Sequence, residues 1–368
     1  MKFSVFLVGR SEGPAQDAYV MDTLTAHALE AEELGFDAVF LPDHHFTGYA
    51  PMASDPYLYA AYLAGKMKTD RMHFGTSVTT MPLHHPLRFV ERVNLLDQIT
   101  HGKVLIGIGS GTTPEEMIGL GVNFKDASRI SEENFGIAMS LWDKETDDPA
   151  IQFDTGTYKG ALVQRIVPTT YGDERPRIMT VALKDASIHR AAERAWPAFI
   201  PAFSPPSITG LEPYNHVSKH FAKYLAALKS YEHSDTSIAR ALEWTTHSYQ
   251  CVHVAATDAQ AREELMWILE KYQASIEREH VFNKRAEELS GINLPDPPNA
   301  LSEEWISTWC VYGSPETVAA ELAKYCDLGI GNVLMGFTNG PLTPERFALT
   351  QSSMRLFASD VMPRLKQA

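Results

Sequence analysis

Cysteine is scarce in this 368-residue chain, with only Cys251, Cys310 and Cys326 and no closely spaced pair. That count argues for a reducing compartment and against a disulfide scaffold, a zinc finger or an iron–sulfur site. Long apolar runs are also missing. None approaches 18 residues, so no membrane-spanning helix is expected. The opening apolar run, residues 3–8, is too short for a signal-peptide core and ends at Gly9-Arg10, so it reads as the first strand of a soluble, cytoplasmic protein. Basic residues are the minority, 32 Lys and Arg against 46 Asp and Glu, giving a net charge of −14. Such a chain repels phosphate backbones and anionic lipid, which argues against nucleic-acid and membrane-surface roles. A basic pocket for one small phosphate stays open. Interdomain linkers and low-complexity segments are absent.

What is present is an ordinary globular composition, 44% apolar and 21% charged. Length alone suggests two or three domains, but large α/β barrels break that prior. Apolar, β-branched runs at 3–8, 37–41, 73–80 and 103–108 start roughly 30–36 residues apart, the length of one strand–helix–strand unit. Between them lie helical patterns: Val20, Leu24, Ala28 and Ala31, then Leu87, Val90, Val93 and Leu96. Gly35 and Gly102 read as helix stops, and Pro86 suits a first helical turn. Later strands are expected at 177–183, 198–203, 249–255 and 332–337. Eight continuous apolar strands alternating with amphipathic helices imply an α/β fold, a (β/α)8 barrel; an open doubly wound sheet is the alternative. Residues 270–306, charged and then rich in Pro and Asn, are too long for a plain connection. They read as an insertion between strands 7 and 8, a partly mobile lid over the mouth of a single domain spanning 1–368.

Chemistry in such a barrel sits at the carboxyl ends of the strands. The second strand ends in Pro42-Asp43-His44-His45-Phe46. Two imidazoles there suit metal ligation, acid–base work or structural hydrogen bonding, and adjacent side chains point to opposite faces, so at most one faces the mouth. The third strand, Gly75-Thr76-Ser77-Val78-Thr79-Thr80, leaves room for a flat ligand against backbone, or is simply satisfied by its neighbours. His84 and His85 follow it. With His44 and His45 they suggest a metal-dependent barrel hydrolase, although no carboxylate–His spacing supports that class. The fourth strand ends Gly107-Ile108-Gly109-Ser110-Gly111-Thr112-Thr113. Its glycines allow close backbone approach and its hydroxyls suit phosphate or carbonyl oxygens, but the spacing is not a dinucleotide fingerprint. The fifth strand ends Thr180-Val181-Ala182-Leu183-Lys184-Asp185-Ala186-Ser187. Lys184, a cation where a helix begins, is either a phosphate contact or an exposed lysine.

Taken in order, several stretches resemble one family. They are Glu33-Leu34-Gly35-Phe36-Asp37-Ala38-Val39-Phe40, Asp43-His44-His45-Phe46-Thr47, Asn94-Leu95-Leu96-Asp97-Gln98 after His85-Pro86, and Gly107-Ile108-Gly109-Ser110-Gly111. Near the end come Tyr312-Gly313-Ser314-Pro315-Glu316 and Leu356-Phe357-Ala358-Ser359-Asp360-Val361-Met362-Pro363. The chain resembles the bacterial-luciferase-like flavin-dependent monooxygenases, within them the alkanal monooxygenase α-subunit branch. The resemblance is poorest across 204–244 and 270–309. It implies a TIM barrel and an enzyme that takes reduced FMN (FMNH2) from a separate flavin reductase, adds O2 to give a flavin C4a-hydroperoxide, and passes one oxygen atom to a small apolar substrate such as an aldehyde, ketone or terpenoid.

Site residues follow one at a time from the resemblance. His44 matches the histidine beside the flavin's reactive edge, a candidate for acid–base control. Ser77-Val78 matches paired small residues, often joined by a cis peptide, under the isoalloxazine. Gly109, Ser110, Gly111 and Thr112 match the flavin-side loop, and Ala182, Lys184 and Ser187 complete the expected cofactor set. Luciferase itself has an arginine on the phosphate at the position of Ser110, a reactive cysteine at that of Gly109 and a serine at that of Lys184, so Lys184 is expected to supply the charge Ser110 lacks. These departures imply flavin binding more strongly than light emission. Phe46, Thr113, Pro201 and Phe203 are the expected substrate pocket. His45, His84, His85 and Glu91 match a dimer-interface cluster, which implies intersubunit hydrogen bonding in a homodimer and no metal. A deazaflavin-dependent oxidoreductase on the same fold, a non-catalytic flavin-binding subunit and a barrel hydrolase are the alternatives.

Overall fold

The structure is a computed structural model describing residues 1–47, 51–172, 175–202, 204–293 and 296–366. Eight parallel strands close into a barrel: β1 (Lys2–Phe6), β2 (Ala38–Leu41), β3 (His73–Thr80), β4 (Val104–Gly109), β5 (Arg177–Val181), β6 (Ala198–Phe199), β7 (Thr246–Tyr249) and β8 (Asn332–Met335). Each strand lies beside its neighbour in sequence, and β8 pairs with β1 through Lys2 and Asn332. The run of β-branched and aromatic residues makes the strands, and the covered faces explain why they show no polar alternation.

Two apolar layers hold the barrel. Inside it pack Phe40, Leu105, Met179, Phe199, Trp244 and Leu334. A larger layer lies between strands and helices, with Phe3, Val5, Val39 and Ile106 against Val20, Leu24, Val90 and Val93. Phe40 fits because β3 carries Gly75 opposite: a Cβ there would lie 2.3 Å from its ring. At the amino end a polar group ties three strands, Ser4 donating to Asn332 at 2.8 Å and Asn332 to Thr246 at 3.0 Å. The helices start and stop as their residues direct. Asp55 accepts the Leu58 N–H before helix Pro56–Lys66, and Gly35, at φ 90°, ends helix Asp17–Leu34.

The seventh strand departs from the sequence reading. The apolar run 249–255 is two strands: Tyr249 ends β7, and Cys251–Val254 leaves the barrel to pair in parallel with Cys310–Gly313. Both pieces are buried on both faces, so composition does not separate them. The sixth strand is also shorter than 198–203, because only Ala198 and Phe199 join the ladder. Residues 270–306 contain more regular structure than an irregular excursion. A 33-residue helix, Asp258–Ser290, is capped by Thr257 and ends at Gly291 with φ 63°, and helix Glu303–Trp309 follows. An antiparallel pair, Ile151–Asp154 with Lys159–Leu162, precedes β5 and has no counterpart in the sequence reading. Among the described residues no helix is long and apolar enough to cross a membrane.

Candidate active site

A cavity of about 860 Å³ opens at the carboxyl ends of the strands, within the usual size of a small-molecule or cofactor site. Its wall brings together His44 from the end of β2, Ser77 and Val78 from β3, Gly109, Ser110, Gly111 and Thr112 after β4, and Lys184 and Ser187 after β5.

The floor is shaped by glycine. The β3–β4 register shifts between Thr76 and Thr79, and within that bulge the Ser77–Val78 peptide bond is cis, as the resemblance implied. Val78 then lies against β4 so closely that a Cβ on Gly109 would come within 2.5 Å of Val78 Cγ2, and one on Gly107 within 2.3 Å of the Thr76 carbonyl. Gly111 turns at φ 78°, where a side chain would be strained.

Two cations converge on the side of β5. Lys184 precedes helix Asp185–Glu193; its carbonyl accepts the Ser187 hydroxyl at 2.9 Å, and among the described residues no carboxylate pairs with its ammonium. Arg190, six residues further, also lines the cavity and contacts Glu132. Ser110, Thr112, Ser131 and Ser187 add hydroxyls to the wall. Val78, Ile108, Val181 and Leu183 supply apolar wall. A flat ring system with an anionic tail fits this set: glycine floor, apolar flanks, and cations with hydroxyls for a phosphate.

On the β2 side, His44 Nδ1 lies 2.8 Å from Oε1 of the buried Glu116. The same oxygen accepts the His45 N–H and the Thr47 hydroxyl, each at 3.1 Å. Asp43, also buried, accepts the Thr80 N–H and holds His84 Nε2, both at 2.7 Å on Oδ2, with His45 Nε2 3.4 Å from Oδ1. Burial alone would push the Asp43 carboxyl up; His84, His45 and the Thr80 N–H hold it well below the usual carboxylate range. The Asp43 carboxylate beside its Nε2 raises His45 above its ordinary value against the opposing effect of burial. Asp43, His45 and His84 bring possible ligand atoms within 4.8 Å of one another. Asp43 Oδ2 accepts from both Thr80 and His84, while Oδ1 and His45 Nε2, 3.4 Å apart, make no hydrogen bond.

Other predicted residues fall elsewhere. Ala182 is fully buried in the core and does not reach the wall. Phe46 is 60% exposed and packs over Gly119; Thr113 precedes helix Pro114–Gly119; Pro201 is buried away from the cavity. Phe203 lies outside the described residues. His85 caps helix Pro86–Thr100 through the Leu87 N–H and touches the Tyr158 ring, while Glu91 pairs with Arg88. Neither joins the Asp43 group. Sequence reasoning did not single out Glu116, Asp43 or Arg190, nor the cavity residues Tyr249, Gln250, Tyr272, Trp309 and Asn339. A carboxylate just inside a helix that starts at a barrel mouth, as Glu116 is, was the readable signal.

Residues 1–332 match the family model described as luciferase-like monooxygenase. The chain belongs to that family. A curated relative, the alkanal monooxygenase alpha chain of Photorhabdus laumondii, is 26% identical over 383 residues, covering 100% of this chain and 98% of its own. Another curated relative is the F420-dependent glucose-6-phosphate dehydrogenase of Amycolatopsis mediterranei, 26% identical over 355 residues, covering 93% of this chain and 94% of its own. Among solved structures, the oxygenating constituent of 3,6-diketocamphane monooxygenase from Pseudomonas putida, in complex with FMN, superposes with a TM-score of 0.71 at 18% identity over 99% of this chain and 98% of that one. The family assignment agrees with the closed eight-stranded TIM barrel.

Proposed function

We propose that this chain is a monooxygenase that uses reduced FMN and O2 to place one oxygen atom in a small apolar aldehyde, ketone or terpenoid. The observation that carries the reading is one cavity walled by Lys184 and Arg190 on the β5 side and by the His44–Glu116 pair on the β2 side, over a glycine-lined floor. Bound reduced flavin supplies the two electrons that activate O2. The protein's share is binding and proton control. Lys184, Arg190, Ser110 and Thr112 hold the phosphate, Ser77, Val78, Gly109 and Gly111 support the ring, and Glu116 orients His44 so that Nε2 exchanges a proton near the reacting edge. Tyr272 from the long helix and Trp309 from the short one face the cavity, so the segment 270–306 acts as a lid that excludes water.

The separate reductase fits a chain with no nicotinamide fingerprint of its own. A homodimer fits the exposed apolar residues Leu58 and Tyr62 on helix Pro56–Lys66 and Leu95 and Ile99 on helix Pro86–Thr100. Hydride transfer with a deazaflavin is the second reading, favoured by the F420-dependent relative. The test is single-turnover mixing of the protein with photoreduced FMN, 18O2 and a panel of aldehydes, cyclic ketones and terpenoids. Incorporation of one 18O into product supports the reading. Tight F420 binding with no labelled product overturns it in favour of the second.

A further inference from the structure

Cys251 and Cys310 are far apart in sequence, yet the structure makes them register partners on the two parallel strands outside the barrel. Neighbouring strands lie about 4.8 Å apart, inside the Cα separation a disulfide accepts. Register partners on parallel strands project to the same side, and here both thiols are buried in one apolar cluster with Trp305 and Leu265. Both are free thiols.

Their surroundings are unusual for structural cysteines. Arg346 is buried, with its guanidinium donating to Thr350 and to the Phe337 carbonyl, while Nε has no hydrogen-bond partner. Among the described residues no carboxylate pairs with it. Its charge acts on Cys251. The neighbouring Cys310 thiol lowers the Cys251 value despite burial, whereas burial pushes Cys310 up. The pair also sits directly behind the cavity. Gln250 and Trp309, each one residue before a cysteine, line the wall, and Gln250 donates its N–H to the Trp309 carbonyl at 2.9 Å. Asn339, another wall residue, donates to Gln250, the residue before Cys251.

We propose that Cys251 and Cys310 are an oxidation site, a pair facing each other across two parallel strands that hydrogen peroxide converts to a disulfide, the Cys251 sulfur attacking first. The sulfur attacks one peroxide oxygen; the S–O bond forms, the O–O bond breaks, and the leaving hydroxide takes a proton to become water. Cys310 sulfur then attacks Cys251 sulfur; the S–S bond forms, the S–O bond breaks and a second water leaves. Two electrons from two thiols thus reduce one peroxide to two waters. The bond joins the two ends of the segment that carries the long helix and Tyr272, fixing it beside the cavity.

The test adds a few equivalents of H2O2 to the reduced, flavin-free protein, then denatures, alkylates and maps it by mass spectrometry. The expected product is a Cys251–Cys310 linked peptide pair, 2 Da lighter and restored by dithiothreitol, formed before Cys326 reacts although Cys326 is the more accessible thiol. In Cys310→Ser, dimedone should instead trap a sulfenic acid on Cys251. Full alkylation of both thiols, or Cys326 oxidised first, overturns the proposal. Added peroxide requires no flavin turnover, so failure here leaves the monooxygenase reading standing, and the reverse also holds. That peroxide arises in the cavity does rest on that reading. It predicts the same link during reduced-FMN turnover without substrate in the presence of catalase, and its absence there overturns the local source.

Discussion

Glu116 Oε1 receives three groups at once: the Nδ1 edge of His44, the His45 N–H and the Thr47 hydroxyl. An oxygen that already accepts from an amide and a hydroxyl acts as acceptor toward the ring too. The hydrogen therefore sits on Nδ1, and Nε2 is the nitrogen able to take a proton. Removing the carboxylate charge should release this tautomer. Glu116→Gln is expected to lower turnover about 10–100-fold, the usual cost of losing a group that orients a ligand or base, with FMN affinity within about twofold of wild type. In the double variant with His44→Ala the losses should not add, since Glu116 acts through His44. Steady-state rates and fluorescence titration check both points; additive losses would separate the two residues.

Lys184 separates phosphate binding from ring binding. A charge-assisted hydrogen bond is worth about 1.5–3 kcal/mol, so Lys184→Ala should weaken FMN binding roughly 10–100-fold and leave riboflavin binding unchanged. Flavin fluorescence quenching measures both. Equal losses for the two flavins would place the lysine away from the phosphate.

The charged group around Asp43 gives stability a pH signature. His45 is raised by Asp43, so what it contributes is complete below its ordinary value of 6.5 and is lost as pH rises through the raised value. Asp43 is depressed, so its contribution is present above its ordinary 3.8 and is lost as pH falls through the depressed value. Between those limits both contribute. The difference in Tm between wild type and Asp43→Asn should be widest there and should narrow above pH 6.5. It should not vanish, because the Thr80 N–H and His84 still bond the carboxylate. Differential scanning fluorimetry from pH 5 to 9 gives the curve, and a flat difference would rule out the ion pair as its source.

The barrel was legible because its strands are short apolar runs at nearly even spacing, and the first four were placed within a residue or two. The seventh failed for a physical reason: Tyr249 and Cys251–Val254 are equally buried, and only the pairing partner, Cys310–Gly313, distinguishes the barrel from the added sheet. Partners so distant leave no local pattern. The flavin-side loops were legible because glycines and hydroxyls cluster at strand ends. Phe46 was misplaced because it follows the strand end by several residues and turns at φ 40° to cover Gly119. Tyr272 was invisible for the opposite reason. It sits mid-helix in a charged segment, and its place at the cavity depends on how that helix crosses the barrel mouth.

Two glycines on β4 should separate folding from binding. A methyl on Gly107 meets the Thr76 carbonyl at 2.3 Å, a backbone atom fixed in the ladder. Gly107→Ala should therefore destabilise by about 1–3 kcal/mol, the range for overpacking, and lower Tm before any effect on flavin is considered. A methyl on Gly109 meets a side chain instead, Val78 Cγ2 at 2.5 Å, with Val78 Cβ at 3.5 Å and Gly111 N at 4.0 Å in ordinary contact. Gly109→Ala should stay folded with Tm near wild type, but it moves Val78 in the cavity floor. Its FMN affinity should fall several-fold, with riboflavin affected equally, since the ring and not the phosphate rests there. That equality distinguishes it from Lys184→Ala, where the two flavins should diverge. A Gly109→Ala protein that bound both flavins as wild type would remove Val78 from the ring's support.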